Sequence, residues 1–284
     1  MKARWELLLI PPFLVTFVLM AASQFVFLKG SFYRDLGLGR IGESLELANY
    51  IRFFSDGFYL KTLWLTLEVS ALATIFTLVM GYPVAYVIAR MRSRFAMVML
   101  AAIVVSSFIT IVVKVLGLII IFSADGWLNK VLMGIGLIEA PFTIMGKVAG
   151  VVVGLMHFSL GFGVLLLYSV MQTIPRSLEE AARVHGAGRR RMFWRVVLPL
   201  SLPGLTIGAL MIFNMCMGAF TSAALIGGGR VYTLPVLIQR TVIMETKYAM
   251  GGTLAAVLVV SVLVINLLSI LVLKRMRASR NLTV

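Results

Sequence analysis

Residues able to do covalent chemistry are scarce along this 284-residue chain: two histidines, one cysteine and eleven acidic groups. His185 has no metal-ligand partner near it in sequence, and His157 and Cys216 each sit alone inside an apolar run. A metal centre needs three or four converging ligands. No G-x-x-x-x-G-K-[ST] loop occurs, and Gly227–Gly229 followed by Arg230 has neither the spacing nor the lysine to cradle phosphates. H-E-x-x-H and G-x-S-x-G are absent too. No catalytic set and no metal set can be assembled, and the chain cannot hydrolyse ATP alone.

One segment is patterned in a way that chemistry does not require: Ile174–Pro199, IPRSLEEAARVHGAGRRRMFWRVVLP. Ser177 and Glu180 have the spacing of a capping box. Leu178, Ala181, Ala182 and Val184 then fall in a short helix, which Gly186 and Gly188 are suited to stop. A second amphipathic piece holds Met192, Phe193, Trp194, Val196 and Val197 and runs back to Pro199. The pattern predicts two helices joined by a glycine turn.

Three titratable residues stand inside long apolar runs: Glu68, Lys114 and His157. Charge in hydrocarbon is costly, so such residues are pathway candidates. Each has a second reading. Glu68 fits a cation path or an interfacial position that reaches water. Lys114 fits a pathway or a side chain that snorkels or pairs, and His157 a gate or a satisfied packing residue.

The elements that carry these residues follow from composition. The chain is 61% hydrophobic and 13% charged, with a mean hydropathy of +1.02, whereas soluble domains carry roughly 25% charged residues. Soluble enzymes, disordered tails and disulfide scaffolds are excluded. Stretches near 7–28, 63–89, 95–122, 148–171, 200–226 and 250–273 are each long enough to cross roughly 30 Å of hydrocarbon as helices. None shows the alternation of a barrel strand. The first exceeds the core of a secretory signal and is read as an uncleaved anchor.

Charge sets the direction. Arg90, Arg92 and Arg94 lie between the second and third stretches; six arginines from Arg176 to Arg195 lie between the fourth and fifth. Lys274, Arg275, Arg277 and Arg280 follow the sixth, and Lys2 and Arg4 precede the first. All fall on one side, so the positive-inside rule places both termini in the cytoplasm. The formal net charge of +15 then reflects inner loops beside anionic lipid rather than nucleic acid. Between the first two stretches, 43–54 is expected to form an amphipathic helix with Leu45, Leu47, Ile51 and Phe54 on its apolar side. Gly146, Gly150 and Gly154, and Gly204 with Gly208, form small-xxx-small steps that serve packing within the chain or a subunit interface.

Glu180-Ala181-Ala182, then Gly186, then Val196-x-Leu198-Pro199, on a predicted inner loop, resembles the EAA loop of permease subunits of binding-protein-dependent ABC importers. That family usually has isoleucine where this chain has Val196. Leu47-Ala48-Asn49-Tyr50, Gly81-Tyr82-Pro83, His157 with Tyr168-Ser169, and Gly218-Ala219-Phe220 through Gly227-Gly228-Gly229-Arg230 are similar, in this order, to the spermidine/putrescine permease branch.

The resemblance implies an all-α, polytopic membrane protein with six transmembrane helices, of the type I importer (MetI-like) fold, forming one permease domain over 1–284 in the cell inner membrane. It implies that 174–199 is a coupling loop docking into a separate ATPase subunit. Glu180 would offer a carboxylate, Ala181 and Ala182 would permit close approach, and Gly186, Leu198 and Pro199 complete the motif. Implied partners are ABC ATPase subunits, a second related permease in a heterodimer, an external solute-binding protein, the lipid bilayer and a small-molecule substrate. The chain itself would be no enzyme and carry no cofactor, ATP being bound by the partner. The implied solute is polyamine-like or a related small organic molecule, for which Lys114 is an awkward lining residue. An ATP-independent channel or facilitator would share the spans and basic loops but has no use for the Glu180–Pro199 pattern.

Overall fold

The computed structural model describes residues 9–37 and 39–281. Lys2, Arg4 and the first two residues of the expected 7–28 span lie outside them. In chain order the elements are α1 (Ile10–Gly30), β1 (Tyr33–Gly37), β2 (Arg40–Leu45), α2 (Ala48–Ser55), α3 (Gly57–Arg90), α4 (Arg94–Phe108) and α5 (Ile111–Ile121). They continue with α6 (Trp127–Gly134), α7 (Val148–Gln172), α8 (Arg176–Val184), α9 (Arg189–Met192), a π-helical turn (Phe193–Val197), α10 (Leu198–Met217) and α11 (Thr221–Gly227). The last are α12 (Leu234–Gln239), a second π turn (Arg240–Met244) and α13 (Tyr248–Asn281).

Among the described residues, five helices are long and apolar enough to cross a membrane: α1, α3, α7, the run Arg189–Met217 and α13. A sixth span results if the bent pair α4 and α5 counts as one. The expected 95–122 helix is therefore broken, its halves meeting at 98°. Ile109 and Thr110 adopt extended ψ values of 131° and 144°. Just before the break, the Ser107 hydroxyl donates to the Ile103 carbonyl at 2.8 Å, and back-bonding of this kind bends helices. The 15 residues of α4 reach only about 22 Å at ~1.5 Å per residue.

The expected 200–226 span also differs. Its helix starts at Arg189 and stops at Met217, and α11 follows Gly218–Phe220 as a separate piece. The second helix of the arginine-rich loop is thus the beginning of a span, joined to it by the π turn. Pro199 has no N–H to return to the Arg195 carbonyl, and one turn in the wider register accommodates that loss.

The described residues form two compact units, one from those up to Leu63 with Leu234–Leu263, the other from Trp64–Thr233 with those from Val264 on. In the first, Gly37 and Gly39 take φ values of +85° and +76°, which turns β1 back on β2 as an antiparallel pair. This hairpin claims Glu43 to Leu45, so the expected 43–54 helix is confined to Ala48–Ser55. Its buried residue is Phe53, packed with Leu234, Leu237, Met250 and Leu254. The apolar side expected from Leu45, Leu47, Ile51 and Phe54 is exposed: Leu45 belongs to β2, and α2 instead turns Phe53 inward. Asp35 on β1 accepts the backbone N–H groups of Ala249 and Met250 at 2.9 and 2.8 Å. It thereby caps the first turn of α13, where helical donors otherwise lack partners.

In the second unit α7 is the common neighbour. Gly150 and Gly154 face Ile226 of α11, and Gly204 and Gly208 face Val170 and Leu166 of α7. The small-residue steps thus serve packing inside the chain. Hydroxyl pairs join the helices: Thr77 with Ser159 at 2.8 Å, Tyr82 with Ser201 at 2.7 Å. Asn214 and Asn266 exchange amide hydrogen bonds at 3.1 Å. Such bonds hold helices together where lipid gives no hydrophobic drive. Tyr82, Ala85, Ala89, Leu167, Met171, Ile174 and Val197 close a buried cluster beneath α8.

Candidate functional site

The patterned loop folds as α8, a turn at Gly186, and α9 leading into the span. Pro175, at φ −60° and ψ 133°, ends the preceding chain and starts α8. The expected capping box is not formed. Pro175 itself is the N-cap, with no side-chain capping bond. Ser177 is already inside the helix, where its hydroxyl no longer reaches a free N–H. Gly186 has φ +77° and ends the helix as expected. Gly188, at φ −64° and ψ 160°, instead opens α9 as its N-cap.

α8 presents two unlike faces. Toward the protein lies Glu179, only 4% exposed, with Ala182 half-buried beside it. Away from it lie Glu180, Ala181, Leu178 and Val184, the last 85% exposed. Glu180 comes no nearer to a cation than 4.0 Å from Arg92, both side chains being solvated, a geometry worth little. Leu198 and Pro199 are half-buried at the start of α10.

The residue that ties α8 down is therefore Glu179, the neighbour of the one singled out by the motif. Its carboxylate pairs with Nε of Arg90, the last residue of α3, and accepts the Tyr86 hydroxyl at 3.2 Å. Arg90 also donates from Nη1 to the Met171 carbonyl and from Nη2 to the Ile174 carbonyl, each at 3.2 Å. In return Arg176 of α8 donates to the Ala89 carbonyl at 2.8 Å. The guanidinium groups thus bring charged donors to carbonyls at the ends of α3 and α7, where cations are favoured. Phe193 stacks edge-on against both Tyr82 and Tyr86, ring centres 5.6 Å apart. The ends of α3 and α7, all of α8 and the π turn form one bonded corner. No spacing rule identifies Glu179 in advance. Which of two adjacent glutamates turns inward depends on where α8 begins, and the assumed capping box put that start in the wrong place.

The three intramembrane candidates separate. Lys114 and His157 line a single groove of about 340 Å³ together with Ser106 and Leu160. Glu68 lies exposed on α3 and takes no part in that groove.

Residues 81–279 match a family described as the binding-protein-dependent transport system inner membrane component. The chain is similar to the spermidine/putrescine transport system permease protein PotB of Haemophilus influenzae, 29% identical over 242 residues, which are 85% of this chain and 84% of that protein. It is 34% identical over 184 residues to PotB of Escherichia coli, covering 65% of this chain and 66% of that one. Among solved structures, a bacterial ABC transporter involved in the import of the acidic polysaccharide alginate superposes with a TM-score of 0.80. There the identity is 19%, over 95% of this chain and 96% of that one, a likeness of fold.

Proposed function

Since the chain belongs to the family of binding-protein-dependent transport system inner membrane components, we propose that α8 is the lever through which its ATP-driven importer moves solute. The protein is a multi-pass permease subunit of an ABC importer and not an enzyme. In our reading an external binding protein delivers solute to a pair of related permeases. ATP binds and is hydrolysed on separate subunits, which grip the exposed face of α8 around Glu180, Ala181 and Val184. Both termini and the 174–199 loop lie on the cytoplasmic side.

One observation carries this reading. α8 is free on one face and bonded on the other, through Glu179 and Arg176, to the end of α3, whose Arg90 in turn holds the Met171 and Ile174 carbonyls at the end of α7. A push on the free face is passed to two spans without first deforming the loop, because paired buried charges resist separation. The small side chain of Ala181 leaves room for a partner surface, that of the half-buried Ala182 lets α8 lie close on the protein, and Gly186 lets the chain turn away directly after the helix.

For the solute, we propose a polyamine-like or related small organic molecule, on the strength of the relatives' names. Lys114 and His157 face a shared groove and are our candidates for the pathway wall. Glu68, outside that groove, fits a position reaching water at the interface.

The test is the complex assembled in vesicles, with uptake of labelled putrescine and spermidine measured beside ATP hydrolysis. Binding-protein-stimulated hydrolysis coupled to uptake is the expected result. Stimulated hydrolysis without uptake of either amine would leave the lever and refute the solute. Purification without any ATPase subunit would refute the lever.

A further inference from the structure

Beside the bonded corner lies a second groove, of about 340 Å³, that the lever does not use. Arg90, Arg183 and Arg189 form its polar edge, and Val87, Met91 and Phe193 its apolar floor. We propose that this groove is a binding site for an anionic phospholipid, the phosphate lying between Arg183 and Arg189 and an acyl chain running along Val87 and Met91.

Three observations point to that occupant. First, the groove has unspent positive charge. Glu179 is taken by Arg90 and Glu180 approaches Arg92. Among the described residues, neither Arg183 nor Arg189 forms an ion pair. Guanidinium forks match phosphate oxygens in shape and charge. Second, the groove lies where a headgroup would be. Arg90 is the last residue of the membrane-crossing helix α3, and Arg189 the first of the run that crosses as Arg189–Met217. Basic recesses at this depth on the inner side of spanning helices suit anionic headgroups. Third, the recess is amphipathic. An acidic side chain from a soluble partner would satisfy the arginines but would leave Val87, half exposed at 50%, against water. A lipid meets both halves.

The site adjoins the lever without depending on it. A bound lipid would rest against α8 through its headgroup at Arg183 and against the last turn of α3 through its acyl chain at Val87, steadying the corner from outside. The lipid reading holds or fails whether or not α8 drives transport.

The experiment uses the full chain in its purified complex, after delipidation in a neutral detergent. Phosphatidylglycerol, phosphatidylcholine or inorganic phosphate is added, and retained lipid is counted by native mass spectrometry beside the thermal midpoint. We expect saturable retention of phosphatidylglycerol with a raised midpoint, and little response to phosphatidylcholine or phosphate. Arg183→Gln with Arg189→Gln should weaken retention roughly tenfold or more, as two headgroup contacts are lost. Arg190→Gln with Arg191→Gln removes the same charge outside the groove and should leave retention near wild type. Equal losses in the two double variants would show a diffuse charge effect and overturn the site. So would a midpoint rise with inorganic phosphate alone that matches the lipid's, or unchanged lipid retention together with loss of another subunit from the Arg183/Arg189 variant.

Discussion

Glu179 and Arg90, separated by 89 positions in sequence, meet as a nearly buried ion pair whose side chains are 5% and 14% exposed. A charge held out of water is tolerated when its partner and its remaining hydrogen-bonding groups are satisfied. Here Arg90 has two carbonyls and Glu179 a tyrosine hydroxyl besides each other. Removing one member should therefore cost more than removing both.

Glu179→Gln leaves Arg90 without its counter-charge and should destabilise the subunit by roughly 3 kcal/mol, the low end for a broken buried pair. Arg90→Met combined with Glu179→Leu should cost far less in thermal midpoint. Both variants should lose uptake relative to ATP hydrolysis, because α8 is then held to α3 by the Arg176 bond to the Ala89 carbonyl without the ion pair. Hydrolysis and uptake falling in step in the double variant would argue against transmission through this pair.

Glu180→Ala should behave in the opposite way. Its side chain is solvated, so stability should stay within about 0.5 kcal/mol of wild type. Stimulated ATP hydrolysis and uptake should both fall. Val184→Asp, on the same open face, should act alike. Melting curves beside transport rates separate these two variants from those at Glu179.

Gly186→Val probes the turn alone. The glycine sits at φ +77°, and a β-carbon at this position would meet nothing within 4 Å, so the cost is backbone strain and not collision. About 1–2 kcal/mol is expected, and more for valine than for alanine because its branched carbon disfavours this region. Reduced uptake with an otherwise assembled complex is the outcome to look for.

Asp35→Ala removes the acceptor for two donors in the first turn of α13. A loss of about 1–2 kcal/mol is expected. Hydrogen exchange at Ala249 and Met250 should rise well above exchange in the middle of the helix. Asp35→Asn keeps one acceptor oxygen and should show an intermediate effect.

Glu245 supplies a pH dependence outside the spans. The hydrogen bond from Lys247 at 2.8 Å, helped by Arg240 at 3.4 Å, holds its carboxyl below the usual range. A depressed folded-state value means that its contribution is complete above the unfolded value of about 4.3. That contribution is lost as pH falls through the folded value. Wild type should thus exceed Glu245→Gln in thermal midpoint near neutrality, by a small margin since the group is partly solvated, and the gap should close on acidification.

Long apolar runs made α1 and α7 legible within a few residues and the apolar parts of α3 and α13 as well, since hydrocarbon thickness sets the length of the apolar run; α3 starts earlier, at Gly57, and α13 continues to Asn281, where no apolar pattern marks the helix. Gly186 was legible for a local reason, the need for a left-handed residue after a helix. Three features were hidden. The bend at Ile109–Thr110 sits inside an unbroken apolar run, with only Ser106, Ser107 and Thr110 to mark it. The hairpin at Tyr33–Leu45 lacks regular alternation, and its pairing is irregular in register. Glu179 needed the distant Arg90, and no pattern within 174–199 contains that partner.

The broken third span has a consequence for what must surround it. Where α4 gives way to α5, the Ile109 N–H still reaches the Ser106 carbonyl and the Thr110 carbonyl accepts from Lys114, but the Ile109 carbonyl and the Thr110 N–H leave the helical ladder, and Phe108 beside them is 83% exposed. Backbone dipoles stripped of partners cost several kcal/mol each in oil. Acyl chains are therefore the one neighbour this elbow cannot have: another polypeptide or a column of water has to lie against it.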